Sequence, residues 1–187
     1  MKLRLSVSLG AIAVIAAVPL LGGTPVLASL QQVGESIVQT LKRPQVKLSL
    51  NAEKQVISQD RNGKQQVSWQ SLSGKAVVQP GDVLRYTVSS NNAGDIPAQN
   101  LTVTQPITQQ MIYILGSATN SNGAKIIYSI DSGKNFGENP TIQIKLPNGK
   151  VENRPAPPET YTHIRWNFTK SIDPTTGVKA SYEVKVK

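Results

Sequence analysis

The chain reads as all-β: an immunoglobulin-like antiparallel β-sandwich (Greek key), preceded by a leader and a short N-terminal helix or tether. Three observations predict this. Apolar residues from Val46 onward recur with a period of two, Gly, Pro, Asn and Asp interrupt that alternation at short intervals, and no stretch after Pro44 carries a helical period. Alternation is what a strand with one buried face requires, because successive side chains point to opposite sides of a sheet. About nine or ten short strands broken by turn formers favour a sandwich over other all-β solutions. A small barrel is the alternative, and strand order is left open.

The elements follow in order. Residues 1–28 begin with Lys2 and Arg4, continue with an apolar stretch from Leu5 to Leu21 and end in Val26-Leu27-Ala28. That layout predicts a signal peptide cleaved after Ala28; an uncleaved membrane anchor is the alternative, since the apolar stretch is close to the lower limit for spanning a bilayer. With no Cys in the chain, a lipoprotein anchor is excluded. Residues 29–45 place Leu30, Val33, Ile37 and Leu41 on one side of a short helix that Pro44 ends, either packed on the sheets or serving as a tether. Residues 46–187 form the single sandwich domain.

Within that domain Val46, Leu48 and Leu50 alternate with Lys47 and Ser49. The segments KQVISQ and KQQVSW flank Asp60-Arg61-Asn62-Gly63, where Asn62 and Gly63 are expected to supply the positive backbone angles of a tight hairpin. A short strand is expected at Ala76–Val78, ending at the Pro80-Gly81 turn. Leu84, Tyr86 and Val88 then alternate with Arg85, Thr87 and Ser89, and the pattern resumes at Leu101 and Val103. Further strands are expected at Met111–Leu115, Lys125–Ile130, Thr141–Leu146, Thr162–Phe168 and Val178–Val186, with turns at Asn122-Gly123 and Asn148-Gly149. The prolines of Arg154–Glu159 cannot join a central ladder and predict an extended surface loop.

Composition narrows the function classes. The 187 residues include no Cys, so an exported fold must hold by packing and strand pairing alone. Net charge is +9, or +7 once Lys2 and Arg4 are removed with the leader, which favours anionic envelope polymers or head groups as partners. Equally, scattered lysines keep a protein soluble and blunt sheet edges. Nucleic acid is excluded as a partner because the chain has no basic run and no aromatic-basic motif.

The segment PGDVLRYTVSSNNAGDIPAQNLTVTQPI, Pro80 to Ile107, resembles the bacterial repeat domain of unknown function eleven. That family occurs in surface and exported proteins and is taken to be an immunoglobulin-like sandwich. YSIDSGKNF and PAPPETYTHIRWNF, further on, resemble an exported single-copy branch of it. Where the family pattern carries Asp and often Pro, this chain has Gln105 and Thr108. The resemblance implies a fold and an exported address but no catalytic residue. The residues agree on their own account: Gly81 and Gly94 are expected at chain reversals, Asp82 to bond turn donors, and Tyr86 and Val88 to face the core.

Candidate chemistry is sparse. Ser129–Phe136 resembles the Asp-box turn of sialidase-type propellers, in which the Asp bonds backbone N–H groups and the aromatic packs inward. One copy makes a hairpin device, not a propeller. A calcium site through Asp131 and Asn135 is the alternative, short of the six or more oxygens such a cation takes. His163 is the sole histidine, on the strand face opposite Ile164, Trp166 and Phe168, which leaves no paired-histidine metal site. No Ser lies in a Gly-x-Ser-x-Gly elbow, and the carboxylates are dispersed, although two meeting in space would make a glycosidase pair. Tyr113, Tyr128, Tyr161, Trp69 and Trp166 would stack sugar rings if they shared an exposed face. LPNG at Leu146–Gly149 lacks the Thr and hydrophobic tail of a sortase signal, and no anchor is expected after the domain.

These observations predict a non-enzymatic interaction module of the cell envelope, exported to the periplasm or cell surface. It would bind an envelope protein or anionic polymer, with no catalytic residues, cofactor or metal. A carbohydrate-binding domain is the second expectation and a glycoside hydrolase the third.

Overall fold

The structure, a computed structural model, describes residues 15–17, 43–73 and 77–187. The helix or tether expected over residues 29–45 lies outside these except for 43–45, which run without regular structure into the first long strand. The described elements are twelve strands and one 3-10 turn. The strands are β1 (Ile15–Ala17), β2 (Val46–Gln59), β3 (Gln65–Ser71), β4 (Val83–Asn92), β5 (Thr102–Pro106), β6 (Met111–Tyr113), β7 (Thr119–Asn120), β8 (Lys125–Ser129), β9 (Thr141–Lys145), β10 (Val151–Pro155), β11 (His163–Asn167) and β12 (Lys179–Val186); the turn is Pro158–Thr160. No helix among the described residues is long and apolar enough to cross a membrane.

One sheet runs β3-β2-β4-β12-β6, with β7 also pairing β12; a second runs β1-β5-β11-β8; β9 and β10 pair only with each other. Every ladder is antiparallel. The two larger sheets keep open edges and pack face to face as a sandwich, not as a closed barrel. The expected alternation positions them: Leu84, Tyr86 and Val88 of β4, Tyr182 and Val184 of β12, Val103 of β5, and Ile164 and Trp166 of β11 are all at most 2% exposed. Tyr86 stacks on Tyr182 at 5.4 Å between ring centres, and Trp166 reaches Tyr182 across the layers at 5.9 Å. Burial of side chains this large stabilises by about 1.5–3 kcal/mol each. Trp166 tolerates it because its indole N–H donates to the Thr119 carbonyl at 3.1 Å.

Several local expectations need correction. The 60–64 loop spans five residues, and only Gly63 has a positive φ; Asn62 does not, because Asp60 Oδ1 accepts from the backbone N–H of both Asn62 and Lys64 and shapes the turn itself. Val77 and Val78 are not in a strand, and Ala76 lies outside the described residues. Val78 is nonetheless fully buried, where the chain bends so that Gln79 N–H reaches the Asp82 carboxylate at 2.7 Å. Gly81 has φ +94°, as a reversal demands, but Gly94 is required for space: a Cβ there would sit 2.6 Å from both Arg43 O and Gln45 N. Arg154 and Pro155 belong to β10, where proline is tolerated because the ribbon has only one neighbour.

Asn92 ties the second sheet's connections to the first. Fully buried, it accepts from Gln45 and Gly94 N–H and donates to the carbonyls of Ile96 and Ile172, so every polar atom of its side chain is matched. Two buried side-chain atoms among the described residues lack a partner, Gln105 Oε1 and Thr108 Oγ1.

Candidate functional site

The sandwich brings three tyrosines together at one margin. Tyr113 ends β6, the edge of one sheet; Tyr128 lies on the inner face of β8, the edge of the other; Tyr161 follows the 3-10 turn that leads into β11. Their ring centres are 5.3–5.5 Å apart pairwise, with Tyr128 and Tyr161 meeting edge to face at 76°. Tyr113 is 1% exposed and forms the floor, while its half-buried neighbours rise as walls. Leu115 and Gly116, in the turn closed by Ser117 N–H to Ile114 O, make one rim; Glu138 and Asn139, just before β9, make the other. The open cleft measures about 420 Å³, toward the low end of ligand-pocket sizes, roughly 300–1,000 Å³.

Hydrogen bonding orders the phenols. Ala118 N–H donates to Tyr113 Oη at 3.3 Å, and Tyr113 Oη donates onward to Tyr128 Oη at 3.3 Å. Burial pushes the Tyr128 hydroxyl well above its ordinary range and raises Tyr161 as well. Both stay neutral at physiological pH, so the walls offer hydrogen bonds and apolar ring faces. On the rim Glu138 pairs with Lys125, both more than half exposed.

No family model, curated protein or solved structure matches this chain. The remaining sequence candidates are therefore placed by geometry alone. Trp166 is in the core. Trp69 lies on the outer face of β3, beneath the Arg85 guanidinium, remote in the sheet order from β6 and β8. Of the five aromatic residues considered for sugar stacking, the fold thus unites Tyr113, Tyr128 and Tyr161.

The Ser129–Phe136 turn forms as a hairpin device. Asp131 Oδ1 accepts from the backbone N–H of Asn135 at 2.9 Å and Lys134 at 3.1 Å and from the Ser129 hydroxyl at 2.7 Å, while Oδ2 takes the Asn135 amide at 2.7 Å. Led by the Asn135 N–H, these donors hold the carboxyl down to about 2. The aromatic departs from expectation: Phe136 packs on the outer face of its sheet, with the Arg165 guanidinium 3.6 Å over its ring. His163 sits beside it on the same face, with Nδ1 3.2 Å from Thr162 Oγ1 and Gly133 against its ring. Burial lowers its pKa, and the charge of Arg165 lowers it further. No group of three or more His, Cys, Asp or Glu side chains with metal-holding geometry occurs among the described residues.

The rim residues Leu115, Gly116 and Asn139 were not legible as site residues. The nearest signal was that Tyr113 and Tyr128 each fall at an inward position on a strand, which says that they are half-core but not that their strands are the facing edges of two sheets.

Proposed function

We propose that this chain is a non-enzymatic interaction module of the cell envelope, exported by its leader, that binds an envelope protein or anionic polymer. Its kinship with the surface repeat domain, resting on Pro80–Ile107, is part of the same proposal. The observation that carries the binding reading is the tyrosine cleft. It joins tyrosine rings and their neutral hydroxyls to a mostly polar lining at an open sheet margin, an arrangement suited to holding a ligand. The leader's charge and apolar pattern support export, and the net charge supports attraction to anionic material.

The test is capture of solubilised envelope material by the purified full chain, compared with Tyr161→Ala and repeated at rising salt. Specific retention that weakens in the variant is expected, and an anionic partner would be released as the screening length shortens to about 8 Å. Retention indifferent to the tyrosine would remove the cleft from the function. Turnover of an envelope polymer abolished by changing one carboxylate would replace binding with hydrolysis.

A further inference from the structure

We propose that the tyrosine cleft is a subsite for an uncharged pyranose ring of a glycan. The inference rests on the reading of the chain as a binding module and gives the cleft a neutral ligand of its own, separate from any anionic partner drawn by the net charge.

Ring spacing decides against the main competitor, a cation held in an aromatic cage. A cage presents several ring faces to one charge, each within about 6 Å of it. Here the rings are 5.3–5.5 Å from one another, so they touch and leave no room for a cation between them. Contact makes them instead a corner that leaves only a narrow strip of ring beside a mostly polar lining, with Tyr113 as floor and Tyr128 and Tyr161 meeting at 76°. A pyranose matches that shape: its axial C–H groups form a flat apolar face for a phenol ring, while its equatorial hydroxyls project outward in the ring plane.

Those hydroxyls have partners. Tyr128 Oη can donate or accept, the Asn139 amide both donates and accepts, and the Glu138 carboxylate can take neighbouring hydroxyls. Charge sets the class further. Glu138 is the cleft's one ionised lining residue, and Lys125 pairs with it, so the rim presents almost no net charge. A carboxylated or phosphorylated sugar would have to compete with Glu138 for Lys125, whereas a neutral ring leaves that pair intact.

The experiment is affinity electrophoresis and calorimetry of the full chain with neutral probes, cellotriose, maltotriose and chitotriose, and with trigalacturonate as the acidic counterpart. Soluble oligosaccharide and the corresponding immobilised polymer separate recognition of a free chain end from recognition of polymer. Millimolar or tighter binding to at least one neutral probe is expected. Affinity should fall at least about tenfold in Tyr128→Ala and Tyr161→Ala, survive in Tyr161→Phe, and ignore Trp69→Ala. Glu138→Gln, at an exposed rim position where a change costs little stability, should weaken neutral binding and narrow the discrimination against trigalacturonate. Three results overturn the inference: no neutral probe bound by folded wild-type chain, binding unchanged in Glu138→Gln and both alanine variants, or tighter, salt-sensitive binding of trigalacturonate. If envelope capture persists while every neutral probe fails, the sugar subsite falls and the module reading stands.

Discussion

The guanidinium carbon of Arg85 lies 3.6 Å from the ring centre of Trp69, while its Nε and Nη2 both donate to one oxygen of Glu183, at 3.1 and 2.9 Å. One side chain on β4 thereby joins β3 to β12 over the outer face of the sheet. β2 and β3 continue past β4 as a two-stranded arm, where Ile57 and Val67 face each other in register and stay exposed. The Arg85–Trp69 contact fastens the root of that arm.

A double-mutant cycle of Arg85→Ala and Trp69→Ala, read by urea unfolding, should give a coupling of about 0.5–1 kcal/mol, the range for a partly exposed cation–π pair. Arg85→Ala alone should cost more than Trp69→Ala loses through that contact, because it also strips Glu183 of its partner. Strictly additive single changes would show that the stacking contributes nothing.

Glycine positions should separate into two classes. A Cβ on Gly177 would lie 1.8 Å from Ser90 O, so the loop before β12 must move off β4, and Gly177→Ala should cost about 3 kcal/mol. Gly149 has φ +81° with nothing within 4 Å of its Cβ position, so Gly149→Ala should cost only about 1 kcal/mol, from the left-handed backbone alone. Equal losses on denaturation would contradict the close approach at Ser90.

Acid should act through Asp131. Its folded pKa of about 2 lies below the unfolded value of about 4. The stability it contributes is therefore complete above about pH 4 and lost as pH falls toward about 2. His163, with its pKa lowered by burial, has the same sign at higher pH: its neutral ring favours the fold above its ordinary value, and that contribution fades on acidification. Unfolding midpoints of wild type and Asp131→Asn, followed from pH 5 downward, should diverge at the top of this window and converge at its bottom. Parallel profiles would mean that the turn does not stabilise the carboxylate.

Gln105 should be improvable. It is fully buried with Oε1 unpartnered, and its amide makes only a 3.3 Å bond to the neighbouring Thr104 carbonyl. Gln105→Met keeps the volume and removes the orphan, which should stabilise by about 1 kcal/mol. A lowered midpoint would show that an ordered water satisfies that oxygen.

The strands and their inward faces were legible because alternation is a local property: Leu84, Tyr86, Val88, Ile164 and Trp166 point to the core by spacing alone. Turn chemistry was legible where a residue acts within its own loop, as Asp82 and Asp131 do. It failed where the reason is remote. Gly94 is needed because Arg43 and Gln45 cross it, and Asn92 holds the carbonyl of Ile172, 80 positions away. Gln105 and Thr108, where the chain departs from the pattern it was expected to resemble, carry the two buried, unpartnered side-chain oxygens among the described residues. The cleft was half legible: its tyrosines were candidates, but their convergence depends on β6 and β8 being edges of different sheets, which no single-strand pattern encodes.

β1 has a consequence for the other margin of the molecule. Ile15–Ala17 pair with Thr104, Val103 and Thr102, and these three residues lie within the segment expected to be the leader. A chain trimmed after Ala28 would lack that strand. The hydrogen-bonding groups on the outer side of β5 would then turn from protein to solvent, so cutting the leader would change a protected seam into an adhesive one, and precursor and trimmed chain would differ in their tendency to self-associate.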